Sequence, residues 1–183
     1  MAQTLTSIRK NMIRISVTGP ESTGKSWLAQ HLAEHYQSVW VPEFARKYLE
    51  SINRPYTYDD ILIIAQTQFE AENNASKMSD LLFCDTDFCV TNIWCKVKYG
   101  KSHPWITQKL EQNLYNLYLL CDIDLPWQYD PLREHPEMRV TLFGMYKDLL
   151  TTHGFNYRIV SGSGDERLQN AIAFVEELIS SNK

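Results

Sequence analysis

Hydrophobic and polar positions along this chain follow two periods, and the switch from one to the other marks out five strands and the helices between them. Met12 to Thr18 alternates apolar and polar residues with β-branched positions, the pattern of a strand. Leu28, His31, Leu32 and His35 then recur at helical spacing with no Gly or Pro to interrupt them. Ser38 to Glu43 is a second short strand ending in Pro and an acid, and Phe44 to Ser51 reads as a helix. Thr57-Tyr58-Asp59-Asp60 has the form of a capping box, ahead of a long helix with Ile61, Ile64, Ala65, Gln68 and Phe69 on one face. Leu81 to Asp85 is a continuous apolar run closed by an acid, as expected of a strand buried on both faces. Helices are predicted over 88–99 and 105–115, and a strand over 117–122. A polar, Pro-rich stretch fills 124–139, followed by a helix to about His153. Tyr157 to Val160 is the last strand. Ser163 and Glu166 form a second candidate capping box, before a helix with Leu168, Ala171, Ile172, Val175 and Ile179 inward.

Strands alternating with helices specify an α/β architecture with a parallel sheet and right-handed crossovers. Ligands in such folds sit beyond the carboxyl ends of the strands. Here those ends carry Gly19, Glu43, Asp85, Asp122 and Ser161, and their convergence is the expected active site.

The first strand runs into Gly19-Pro20-Glu21-Ser22-Thr23-Gly24-Lys25-Ser26, which fits G-x-x-x-x-G-K-[ST]. About one chain in a hundred of this length would match by accident, and the demand for a strand before and a helix after lowers that further. The chemistry needs these residue types. Glycines let successive N–H groups point inward as an anion nest at the positive end of a helix dipole. Lys25 would reach the β- and γ-phosphates, and the Ser26 hydroxyl would ligate Mg²⁺. Trp27 follows directly and is grouped with this nucleotide-binding loop. The fold expected is that of P-loop NTPases, a five-stranded parallel sheet in the order 2-3-1-4-5 with helices on both faces.

Four further stretches carry candidate chemistry. In Asp85-Thr86-Asp87, a carboxylate closing an apolar strand is placed to hold Mg²⁺ or its water, while Asp87 is either a substrate partner or the cap of the next helix. In Glu43-Phe44-Ala45-Arg46, the acid is either the acceptor of a hydroxyl proton or a first-turn acid favoured by the helix dipole; Arg46 either joins it at the substrate or is solvated. The stretch 124–139 suits a lid, with Arg133 or Arg139 closing on the γ-phosphate, or else a surface loop with solvated arginines. Ser161-Gly162-Ser163-Gly164 either passes close to a base or serves as a turn. Trp40, Phe44, Phe88, Trp94 and Trp127 give an aromatic density near strand ends from which two or three side chains could line an acceptor cleft.

Composition narrows the class. At 183 residues the chain is expected to be a single domain. A formal charge of −4 argues against a nucleic-acid partner, and no apolar run approaches a membrane span. Met1 to Lys10 has no apolar core region and does not read as a signal peptide. Cys84, Cys89, Cys95 and Cys121 contain no C-x-x-C pair, so neither zinc nor disulfides are expected, and a reducing cytoplasm is the expected setting. Oligomeric state cannot be read from these features.

The P-loop, Pro42-Glu43-Phe44-Ala45-Arg46, Asp85-Thr86-Asp87-Phe88, Tyr99-Gly100-Lys101-Ser102-His103-Pro104 and Pro126-Trp127-Gln128-Tyr129-Asp130-Pro131-Leu132-Arg133 occur in this order and spacing. Together they resemble the nicotinamide riboside kinase domain of NadR-type proteins, over about Ile13 to Leu178. The resemblance implies transfer of the ATP γ-phosphate to the ribose 5′-hydroxyl of nicotinamide riboside, with Mg²⁺. It implies catalytic roles among Lys25, Glu43, Asp87, Arg133 and Arg139, substrate contacts among Glu43, Arg46, Asp87, Trp94 and Trp127, and metal contacts at Ser26 and Asp85. Two positions depart from the family pattern. Pro42 stands where members often have a substrate-stacking Trp, and Pro131 stands where the lid usually has Gly. A kinase of another nucleoside would keep the same phosphate machinery. A nucleotide-dependent switch would bind without phosphorylating any small acceptor.

Overall fold

The computed structural model describes residues 12–181, so the reading of Met1 to Lys10 lies outside the described residues. Strands β1 (Ile13–Thr18), β2 (Val39–Val41), β3 (Leu81–Asp85), β4 (Leu117–Cys121) and β5 (Tyr157–Val160) form one sheet in the order β2-β3-β1-β4-β5. Every pairing is parallel, as expected. Helices α1 (Lys25–His35), α2 (Phe44–Ser51), α3 (Tyr58–Ala75), α4 (Phe88–Tyr99), α5 (Pro104–Glu111), α6 (Arg139–Thr152) and α7 (Gly164–Ser181) connect the strands.

Alternation along the strands builds two cores. Ile15 and Val17 of β1, Phe83 of β3 and Leu117, Leu119 and Cys121 of β4 face α1 and α7, where Leu28, Leu32, Ala171 and Val175 cover them. Leu82 and Cys84 of β3 and Tyr118 and Leu120 of β4 point the other way, onto Ile61, Ile93, Ile106 and Leu150. The second face of β1 is different, because Arg14, Ser16 and Thr18 are polar and buried there. Buried polar groups are costly without partners. Arg14 therefore donates to Asn73 Oδ1 at 2.8 Å and lies 3.6 Å from Glu72, while Ser16 Oγ donates to Asp87. All four cysteines are free and buried.

Several boundaries differ from the sequence reading. β2 is only Val39–Val41 because Pro42 has no N–H to continue the ladder with β3. The helix expected to Tyr115 stops at Glu111; Asn113 turns left-handed at φ 45°, and Tyr115 is buried against Glu72 instead. Pro136–Met138 forms a 3-10 turn and Arg139 opens α6, so the irregular stretch ends at His135 rather than Arg139. The capping interaction at Thr57 is present, with Asp60 Oδ2 accepting from the Thr57 N–H at 2.6 Å.

Candidate active site

Two glycines in the β1–α1 loop occupy conformations that side chains reject. Gly19 has φ 132°, and a Cβ there would stand 3.0 Å from the Cys121 carbonyl oxygen. Gly24 caps α1 at φ 76°. Between them Thr23 Oγ1 donates to the Pro20 carbonyl at 2.8 Å, and Lys25 Nζ donates to the same oxygen at 2.6 Å. The Lys25 ammonium thus lies folded over its own loop, at the N-terminus of α1.

The strand-end acids go to different places. Asp85 is 1% exposed. Burial first, and the charge of Glu43 second, push its carboxyl up to about 6, against the opposing pull of the Ser26 hydroxyl and Lys25. Its Oδ1 is buried without a hydrogen-bond partner. A hydroxyl and an unpartnered carboxylate oxygen are the hard oxygen donors that Mg²⁺ takes alongside nucleotide phosphates and water. The residues fit the ion, although no cluster of three or more His, Cys, Asp or Glu exists among the described residues to hold one alone. Asp87 points elsewhere. Its Oδ1 caps α4 by accepting from Val90 N–H at 3.0 Å and its Oδ2 takes the Ser16 hydroxyl, so it does not line the cleft. The separation is made at Thr86, whose φ of 87° is strained for a β-branched residue and bends the chain between the two acids. Asp122 accepts the N–H of Ile123 and closes its own turn.

A cleft of about 560 Å³ opens at these strand ends. Residues 19–27 form one wall, Trp27 among them, and Glu43 at the cap of α2 and Arg46 in its first turn form another. Across the cleft stand Tyr56 and Trp94, whose rings meet edge to face at 5.1 Å, with Trp94 Nε1 donating to the Tyr56 hydroxyl at 2.9 Å. Beyond Trp27, the aromatic residues lining the cleft are therefore Tyr56, Trp94 and Tyr146. Phe88 packs with Phe69 and Trp105 in the core, Phe44 lies beside Tyr48, and Trp40 joins the α1/α7 core. Trp127 does not line the cleft. It lies beneath two arginines, 5.9 Å from the Arg133 guanidinium and 6.0 Å from that of Arg139.

The stretch from Asp124 to His135, the candidate lid, is fastened to the loop at several points. Ser22 Oγ accepts from Gln128 N–H at 2.9 Å and from Arg133 at 3.4 Å, and the Ser22 carbonyl accepts from Arg139 at 3.2 Å. Glu21 accepts the backbone N–H groups of Glu134 and His135, each at 3.3 Å. Both arginines singled out from the sequence thus meet at the P-loop. Arg46 keeps 47% of its side chain exposed and pairs with Asp130 at 2.6 Å. Burial raises the Glu134 carboxyl, but hydrogen bonds from Tyr56 and Lys98 outweigh it and leave it below the usual range.

Sequence reasoning missed Tyr56, Glu134 and Arg167. Arg167 on α7 is 1% exposed and donates to the carbonyls of Gly162 at 2.8 Å and Thr23 at 3.0 Å, and to Asp124. An arginine four residues before Ala171, on the otherwise apolar inward face of the amphipathic α7, was the available signal.

A five-stranded parallel sheet in the order 2-3-1-4-5, with a G-x-x-x-x-G-K-S loop between its central strand and α1, defines a protein of the P-loop NTPase fold. A family model described as an AAA domain matches residues 14–167, and the chain belongs to that family. The trifunctional NAD biosynthesis/regulator protein NadR of Escherichia coli (strain K12) is 24% identical over 190 residues, covering 97% of this chain and 46% of that protein. A crystal structure of a NadR protein in complex with NR has a TM-score of 0.77 at 22% identity, over 92% of this chain and 51% of the other. A thymidylate kinase from Ehrlichia chaffeensis has a TM-score of 0.66 at 13% identity, over 92% of this chain and 99% of the other. The chain thus spans about half the length of its NadR relatives, and the resemblance to NadR-type proteins read from the motifs is borne out.

Proposed function

We propose that this chain is an ATP-dependent nucleoside kinase whose acceptor is nicotinamide riboside, phosphorylated at the ribose 5′-hydroxyl to give nicotinamide mononucleotide. The observation that carries the reading is one cleft with a phosphate-binding loop at one wall and an aromatic pair, Tyr56 and Trp94, at another, with Glu43 also lining it. Relatives named for NAD biosynthesis and a neighbour of known structure that holds NR support this acceptor.

Phosphoryl transfer asks for positioning and charge neutralisation rather than covalent chemistry. The loop amides would cradle the triphosphate, and Lys25 would leave the Pro20 carbonyl for the phosphates. Ser26 and Asp85 would hold Mg²⁺, which supplies neutralisation of phosphate charge when bound. Glu43, which lines the cleft, would orient the attacking hydroxyl and take its proton, whereas Asp87, held as a helix cap, would support the site from behind. Arg133 and Arg139, gathered at Ser22, would meet charge developing on the transferred group.

A cationic nicotinamide ring gains cation–π attraction at Trp94 that a neutral base forgoes, worth about 0.5–2 kcal/mol. Release of ADP measured across a nucleoside panel tests the acceptor. Nicotinamide riboside is expected to exceed uridine, cytidine and thymidine in kcat/KM by about 2- to 30-fold, the same energy expressed as a rate ratio. The thymidylate kinase neighbour keeps a pyrimidine acceptor in view. Turnover of a pyrimidine nucleoside with nicotinamide riboside untouched would remove the acceptor assignment and leave the kinase.

A further inference from the structure

One residue of the lid touches both halves of the cleft. The Glu134 backbone N–H donates to Glu21 in the phosphate-binding loop at 3.3 Å. Its carboxylate accepts from the Tyr56 hydroxyl at 2.5 Å and from Lys98 Nζ at 2.9 Å. The Tyr56 hydroxyl in turn accepts from Trp94 Nε1 at 2.9 Å, and Lys98 lies 4.5 Å from the Tyr56 ring centre. A continuous chain of hydrogen bonds thus runs from Glu21 through Glu134 and Tyr56 to Trp94. No other lid side chain reaches the aromatic wall by a hydrogen bond among the described residues.

We propose that Glu134 is a positioning residue that couples the nucleotide seat to the acceptor wall. The proposal rests on the nucleoside-kinase reading of the cleft. Seating this stretch brings Arg133 to Ser22, beside Arg139 of α6, so a triphosphate in the loop binds the seated state more tightly than the unseated one. The seated state is also the one in which Glu134 holds the Tyr56 hydroxyl and, through it, the Trp94 edge. Bound nucleotide therefore tightens the acceptor, and by linkage the acceptor tightens the nucleotide by the same factor. Glu21 and Ser22 occupy the variable positions of the G-x-x-x-x-G-K-S loop, so this coupling belongs to the particular sequence and not to phosphate binding as such.

The test is calorimetry of nicotinamide riboside with and without the non-hydrolysable analogue AMP-PNP, on the full chain and on Glu134→Ala, Glu134→Gln and Tyr56→Phe. In the wild type AMP-PNP should tighten the nucleoside by about fivefold or more, the lower end of ordinary coupling. Glu134→Ala and Tyr56→Phe should each reduce that factor below about twofold. Glu134→Gln keeps one acceptor oxygen for Tyr56 and should recover part of the factor. AMP-PNP alone should bind Glu134→Ala within about threefold of wild type, because the backbone donor to Glu21 is retained. A coupling factor equal in wild type and Glu134→Ala, or absent from the wild type, overturns the proposal. If the wild type phosphorylates a different nucleoside, the acceptor assignment fails and the same factor, measured with that nucleoside, decides the coupling. If it phosphorylates none, both readings fall together.

Discussion

Burial and the charge of Glu43 hold the Asp85 carboxyl near 6, well above an ordinary aspartate, so its ionisation falls within an accessible pH range. The carboxylate form, which favours Mg²⁺, is the minority below that value and dominates above it. Affinity for Mg-ATP should therefore rise as pH goes from about 5 to 7 and then level off. Asp85→Asn should bind weakly and lose most of this pH dependence, a contrast that calorimetry at four or five pH values would reveal. An unchanged profile in the variant would make Asp85 structural. Lys25→Ala should weaken nucleotide binding by roughly 10- to 100-fold, the worth of a charge-assisted hydrogen bond, with an unaltered circular dichroism spectrum. Undiminished affinity in the folded variant would sink the phosphate-loop assignment. These residues were legible because each sits in a local pattern: a loop motif for Lys25 and Ser26, a strand end for Asp85. The placement of Asp87 was not, because a strained Thr86 decides where the second acid points, and φ at one residue leaves no trace in composition. Tyr56 and Glu134 were illegible for another reason. They are 78 residues apart in sequence and become a pair only through the lid.

Among the elements, β1 departs furthest from its pattern. Its sequence reads as an alternating strand, and its polar positions Arg14, Ser16 and Thr18 are all buried. Arg14 and Ser16 find partners there in Glu72 and Asn73 of α3 and in Asp87 at the cap of α4, with Tyr115 closing the group by donating to Glu72 at 2.9 Å. Burial dominates at Glu72 and lifts its carboxyl to about 8, against the pull of Tyr115 and Arg14. The sign follows from proton counting. Between the unfolded value near 4.5 and the folded value near 8, the folded chain holds a proton that the unfolded chain has released. Stability contributed by this group is present below about 4.5 and is lost as pH rises to about 8. Glu72→Gln keeps the shape and an acceptor for Tyr115 but cannot ionise. Urea unfolding at pH 5, 6.5 and 8 should give a smaller decline in the variant than in the wild type, and equal declines would show that Glu72 ionises freely in the fold. Element positions were otherwise well marked by periodicity. The errors came at Pro42, Asn113 and Pro136, where backbone chemistry ended or began an element a few residues from the periodic signal.

At the scale of the whole molecule, the cleft exists because the loops leaving β1, β4 and β5 are held at fixed distances, and one guanidinium does much of this. Arg167 on α7 reaches the Thr23 carbonyl in the phosphate loop, the Gly162 carbonyl after β5, and Asp124 at the root of the lid. Asp124 in turn accepts the Gly162 N–H at 2.6 Å, so the three loops form a closed set of bonds. Shape at these strand ends was legible as a convergence, but the clamp was not, since α7 read as an ordinary amphipathic helix. Arg167→Met preserves much of the apolar stem and deletes every donor. It leaves the carbonyls of Thr23, Gly162 and Asp122 short of a partner and Asp124 without its cation. Breaking a buried pair costs about 3–5 kcal/mol, and the lower figure applies because Asp124 keeps 33% of its side chain exposed. The predicted loss of about 3 kcal/mol would be read from chemical unfolding. The more telling measurement is made on the folded fraction. Because Arg167 holds Thr23, the variant should bind Mg-ATP more weakly even at temperatures where it is fully folded, and AMP-PNP should raise its melting temperature less than it raises that of the wild type. Lysine offers one charge in place of a fork, so Arg167→Lys should recover the contact to Asp124 but not the simultaneous hold on Thr23 and Gly162. Its stability should be partly restored while nucleotide affinity stays low. Equal recovery of both would mean that Arg167 supports the fold and leaves the phosphate loop to shape itself.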